Sequence, residues 1–158
     1  LAELATRGAS LAIVETFTSG QIAARIAHLP GAEKVFRRGV VARELSEVCA
    51  AVGLESAPSA GELTRETAEA VARASRRQTG STHALAVLID LDDGADRIDL
   101  GGTICLAIAT EQEAASRRSR ILGGREWVRL GAVEMGLDCL RRFLQGLPVY
   151  ERIDFEKA

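Results

Sequence analysis

A chain of 158 residues with 47% hydrophobic and 27% charged residues has enough apolar surface for one buried core and is too hydrophobic for a disordered segment. Its formal net charge of −2, from 20 basic against 22 acidic side chains, argues against nucleic-acid binding, which calls for a basic domain or stripe. No apolar run approaches the ~18 residues of a membrane span and no secretory pattern opens the chain, so a cytoplasmic protein without membrane contacts is expected.

In chain order, Leu1 to Thr6 reads as the end of a helix stopped by Gly8, and Ser10 to Val14 as a short buried strand. Thr18 or Ser19 is expected to cap the next helix, whose stripe Ile22, Ile26 and Leu29 runs to Pro30-Gly31. Gly39 to Ala42 is a second strand, followed by a helix from about Glu44 to Val52 that stops at Gly53. A loop from Glu55 to Gly61 precedes a helix capped by Thr64, Glu66 to Arg77, with Ala68, Val71, Ala72 and Ser75 as a close-packing face. Ala84 to Ile89 and Gly102 to Ala109 are sequential strands across the polar turn Asp90 to Asp99. The last helix, Arg125 to Leu144, carries Leu130, Val133, Leu137, Leu140 and Leu144 at helical spacing.

This alternation predicts an α/β fold: a three-layer α/β/α sandwich around a mixed, mainly parallel sheet of about four to five strands. It should occupy residues 1–147, with 148–158 as a polar tail. Cys49, Cys105 and Cys139 match neither a disulfide framework nor a zinc spacing and read as buried thiols. Asp90, Asp92, Asp93 and Asp96 lack the Gly and Glu that a calcium loop needs at its sixth and twelfth positions, so they read as solvated turn acids and no metal or cofactor is expected.

The informative segment is Leu11 to Gly20, where an apolar strand enters a hydroxyl-rich turn and then opens a helix. Helix-start amides with Thr16, Thr18 and Ser19 can receive a small anion. Five arginines between Arg117 and Arg129 against the single acid Glu126 form either a phosphate-holding patch or a solvated loop and helix start. From the last helix Arg125 could reach an anion with two parallel hydrogen bonds. The plainer alternative is that Thr18 and Ser19 only cap one helix while Arg125 only begins another.

Val14-Glu-Thr-Phe-Thr-Ser-Gly20, Pro30-Gly31, Phe36-Arg-Arg-Gly-Val-Val41, Gly61 to Ala72, Gly102-Thr103 and Gly123-Gly-Arg125 with Arg129 resemble, in order, landmarks of the C-terminal domain of the competence/damage-inducible CinA proteins. That family is also known as the nicotinamide-mononucleotide amidohydrolases. The resemblance implies hydrolysis of a carboxamide, with release of ammonia, by a serine assisted by a Tyr and a Lys. It places Thr16 where the family has its serine, beside Glu15, and puts Arg43 at the Tyr and Val48 at the Lys. Thr18, Ser19, Gly20, Gly39, Arg125 and Arg129 become the ligand-binding candidates.

A hydroxyl without a base is a poor nucleophile, the threonine β-branch restricts χ1, and a guanidinium stays protonated. With only Lys34 and Lys157 in the chain, substitute bases reduce to Glu15, Glu44, Glu47 and Lys34. Leu88-Ile-Asp-Leu-Asp-Asp93 also stands where the family has a glycine-bearing Thr-Gly-Ile-Ala-Gly-Pro. The expected protein is therefore a degenerate family member that binds a pyridine mononucleotide or another small anion and forms a homo-oligomer. One alternative is an active amidohydrolase using Thr16 with an unrecognised base. The other is a dimeric scaffold that pairs through the Glu66 to Arg77 helix.

Overall fold

The computed structural model describes residues 1–57 and 62–150; most of the expected loop at 55–61 and the tail beyond Tyr150 lie outside them. Its elements are α1 (Ala2–Thr6), β1 (Leu11–Glu15), α2 (Gln21–Ala27), α3 (Ala32–Val35), β2 (Phe36–Val41), α4 (Leu45–Ala51), α5 (Arg65–Thr79), β3 (His83–Leu91), β4 (Gly101–Ala109), β5 (Ala114–Leu122) and α6 (Arg125–Leu144).

The five strands form one sheet in the order β2-β1-β3-β4-β5. β1 pairs in parallel with both β2 and β3, whereas β3–β4 and β4–β5 are antiparallel. Four strands therefore run one way and β4 the other, a mixed α/β sheet. Every residue of β1 and of β4 is buried, as expected for strands covered on both faces. One face packs Leu11, Ile13, Leu85 and Leu106 against α1, α2, α3 and α6; the other packs Ala12, Val14, Ala86 and Leu88 against α4 and α5.

Where the expected elements shift, the causes are local. β2 begins three residues early, at Phe36, because the extra turn α3 fills the gap after Gly31. On α6 Val133, Leu140 and Leu144 are buried as expected, but the inward face also takes in Val128, Ala132, Met135 and Cys139, and Leu130 is 43% exposed. Small residues make that close approach possible: a Cβ on Gly136 would lie 2.9 Å from Val87 Cγ2 and 3.2 Å from Ile22 Cδ1.

The arginine patch is a correction. Residues 114–122 are neither loop nor helix start but the edge strand β5. Its inward positions are Arg117, Ser119 and Ile121, so the two-residue alternation is present but two of its three buried places are polar. Arg117 is buried, with Nε donating to Ser119 Oγ at 3.0 Å and a terminal nitrogen to the Val149 carbonyl at 3.2 Å. Arg118 lies 3.8 Å from Glu62.

Nor is Asp92 simply a solvated turn acid. Both Arg120 terminal nitrogens donate to its carboxylate at 2.7 Å and the Gly101 amide donates at 3.0 Å, tying the β3–β4 connection to β5. Those hydrogen bonds, Arg120's first, hold the carboxyl at about 2 instead of 3.8. Because the folded value lies below the unfolded one, the stabilisation is full above about pH 4 and is lost as pH falls through about 2. Arg120→Ala should cost about 1 kcal/mol at neutral pH, allowing for solvent screening of this partly exposed pair. Denaturant titrations should show the gap to the parent protein narrowing between about pH 4 and about pH 2.

The helix Glu66 to Arg77 is confirmed within α5, and Thr64 caps it by accepting the Thr67 amide at 3.2 Å. Its small-residue face is already used, since Ala68, Val71, Ala72 and Ser75 are buried within the domain's own core. The scaffold alternative thus loses the surface on which it was based. Among the described residues no helix is long and apolar enough to cross a membrane.

Candidate functional site

β1 lies between β2 and β3, with the chain leaving it through α2 and α3 on one face and returning from β2 through α4 and α5 on the other. In open α/β sheets the carboxyl ends of two such strands, where the connections diverge, frame a ligand crevice. Here those ends are Glu15 of β1 and the last residues of β3. A cavity of about 550 Å³ opens at this point, lined by Thr16, Arg43, Glu44, Cys49, Glu55, Glu62, Leu88 and Asp90 among others. A second space of about 390 Å³ shares Thr16, Arg43, Glu44 and Asp90 and adds Phe17 and Ser19.

The helix start is already occupied by Glu15, whose side chain is fully buried. One carboxylate oxygen accepts the Ile22 amide at 3.1 Å and the Thr18 hydroxyl at 2.5 Å; the other accepts the Ala23 amide at 2.8 Å. Neither Thr18 nor Ser19 caps α2. Its N-cap is Gly20 in the left-handed region, at φ +85°. The anion expected at these amides is thus supplied from within the chain, and the Thr18 hydroxyl is committed to it. Sequence reading missed this because a strand-end glutamate followed by hydroxyls does not reveal that the chain bends back over the carboxylate.

Thr16 does reach the crevice. Its hydroxyl oxygen accepts the Ile89 amide at 2.9 Å, and no acceptor among the described residues takes its own proton. Arg43 lines both spaces, with its guanidinium carbon 6.0 Å from the centre of the Phe17 ring, close enough for a cation–π contact. Val48 does not line the crevice but is fully buried on the inner face of α4. Its neighbour Cys49 faces the cavity, and desolvation raises its pKa, which keeps it a thiol.

The substitute bases also separate. Glu15 holds the helix, Glu47 and Lys34 are exposed and line neither space, and only Glu44 borders the crevice. Gly39 packs β2 against α2: a Cβ there would lie 3.3 Å from Phe36 and 3.5 Å from Ala23. Gly20 sits 3.4 Å, measured the same way, from Val41. Arg125 and Arg129 lie in the first two turns of α6, where they pair with Asp96 and Glu126. Neither lines the crevice. Among the described residues no group of three metal-ligating side chains converges.

A family model described as the CinA C-terminal domain matches residues 1–144. The chain belongs to this family. It is 33% identical over 147 residues to a CinA-like protein of Frankia casuarinae, covering 92% of this chain and 34% of that protein. It is 32% identical over 152 residues to a CinA-like protein of Myxococcus xanthus, covering 94% and 36%. This CinA domain thus spans about a third of the length of the curated relatives it matches. The fold agrees with solved structures: a CinA superfamily protein from Enterobacter cloacae superposes with a TM-score of 0.78 at 19% identity, covering 90% of this chain and 86% of that one. A competence/damage-inducible protein from Agrobacterium tumefaciens gives 0.76 at 24% identity, with 91% and 90% covered.

Proposed function

We propose that this CinA C-terminal domain binds a pyridine mononucleotide in the crevice at the carboxyl ends of β1 and β3 without hydrolysing its amide. The observation that carries the reading is the state of Thr16: its oxygen accepts the Ile89 amide and no described group receives its proton. A hydroxyl in that position presents an oxygen to a ligand but is not activated as a nucleophile.

The charges of the crevice narrow the ligand. Glu44, Glu55, Glu62 and Asp90 face the larger space against the single cation Arg43. A simple anion would be repelled by this excess of carboxylates, even with Glu62 paired to Arg118. A ligand with a cationic pyridinium ring and a phosphate instead matches both signs, with the ring toward the acids and the phosphate toward Arg43.

Titration calorimetry with nicotinamide mononucleotide should show saturable binding with no ammonia released. Arg43→Ala should weaken it by about tenfold, the worth of one charge-assisted hydrogen-bonding partner. Free phosphate should bind much more weakly than the nucleotide. Absence of saturable heat would remove the proposal. Turnover that Thr16→Ala abolishes would replace it with an active hydrolase in which one of the carboxylates bordering the crevice, Glu44 among them, serves as base.

A further inference from the structure

At the opposite end of the strands from Thr16 lies a cavity of about 540 Å³. Its wall brings together Arg7 at the end of α1, Arg76 near the end of α5, His83 at the start of β3, the β4–β5 hairpin and Phe143 of α6. Its two guanidinium groups are weakly compensated. The Arg76 side chain reaches only the Ser81 carbonyl, at 3.4 Å. Arg7 donates to the Leu144 carbonyl and lies 3.6 Å from Glu3, in a pair about half exposed on both sides and therefore well screened. The acids of the hairpin, Glu111 and Glu113, are exposed side chains.

His83 completes the wall, with one ring nitrogen held by its neighbour Thr82. The Thr82 hydroxyl oxygen accepts the Ser10 amide at 2.9 Å and donates its one proton to the Ser10 carbonyl at 3.0 Å. The imidazole Nδ1 lies 2.8 Å from that hydroxyl, and once the ring is protonated Nδ1 donates to it, which leaves the Nε2 proton for a ligand. Phe143 holds the ring edge-on, with the ring centres 6.2 Å apart.

We propose that this cavity is a second binding site, for a small dianionic oxyanion of the sulfate or phosphate type, held by Arg7, Arg76 and the protonated imidazole of His83. The proposal is independent of the crevice at Thr16. Burial, and then the charge of Arg7, depress the His83 pKa in the empty site. A bound dianion would reverse that balance by favouring the charged ring.

The chain has two histidines, so His28, exposed at the end of α2, is an internal control in an NMR titration of the imidazole signals. Sulfate is the probe, because it stays dianionic across the range where histidine titrates, with chloride at matched ionic strength as reference. The expected result is a saturable rise of roughly one unit in the His83 pKa, with His28 unchanged. By linkage this corresponds to about tenfold tighter sulfate binding to the protonated ring. Arg76→Gln should weaken sulfate binding by about tenfold while the His28 signal and the melting temperature stay as in the parent. Arg7→Gln gives a second reading from the other wall. Equal shifts at both histidines, no saturation at millimolar sulfate, or unchanged affinity in both variants would overturn the site.

Discussion

Glu15→Ala should remove about 3 kcal/mol or more of folding free energy, the largest single-residue loss expected outside the apolar core. The Ile22 and Ala23 amides and the Thr18 hydroxyl all donate to this carboxylate, and Glu15 and Thr18 are completely buried. A buried donor deprived of its partner costs about 1–3 kcal/mol, and three are orphaned together. Since a domain of this size has only about 5–15 kcal/mol to lose, the urea midpoint should fall by a large fraction. Glu15→Gln should lose less, because one oxygen remains to accept. A loss below about 1 kcal/mol for the alanine variant would show that α2 does not depend on this carboxylate.

The second large effect is a gain. The Ser, Tyr and Lys implied by the family resemblance correspond to Thr16, Arg43 and Val48, so T16S, R43Y and V48K together should raise ammonia release from nicotinamide mononucleotide by at least about 10²-fold over the parent. Position 48 is fully buried and does not line the crevice, so the gain requires the lysine's four-carbon stem to carry its amine to the hydroxyl at position 16, where desolvation would lower its pKa toward that of a base working near neutral pH. T16S alone should gain little, because the serine would still lack a proton acceptor. Equal activity in the single and triple variants, with the triple still folded, would show that the residues at 43 and 48 do not limit ammonia release.

Strong local signals made much of the fold legible in the sequence. β1 and β4 are continuous apolar runs, Thr64 precedes a periodic helix, and the last helix is bounded by Gly124 and Gly146. β5 was hidden because Arg117 and Ser119 occupy buried strand positions where apolar residues would have shown the alternation. The site was half legible. Thr16, Ser19 and Arg43 do line the crevice, since their separation in sequence is closed by the pairing of Glu15 with Val41 at the end of β1 and β2. Arg125 and Arg129 were drawn to it by charge and by motif order, neither of which reports that they turn to Asp96 and Glu126 instead. Glu55, Glu62 and Asp90, which set the sign of the larger space, come from segments that converge only in three dimensions.

The arginines of β5 also matter at the border of the sheet. An open strand margin is a template on which a neighbouring molecule can add its own backbone, and charge directed inward along that margin is a known protection against such growth. Arg117 is buried on one face of β5, while Arg118 and Arg120 are engaged by Glu62 and Asp92. The residues that made β5 hard to recognise thus also supply the kind of charge that blunts an open sheet edge.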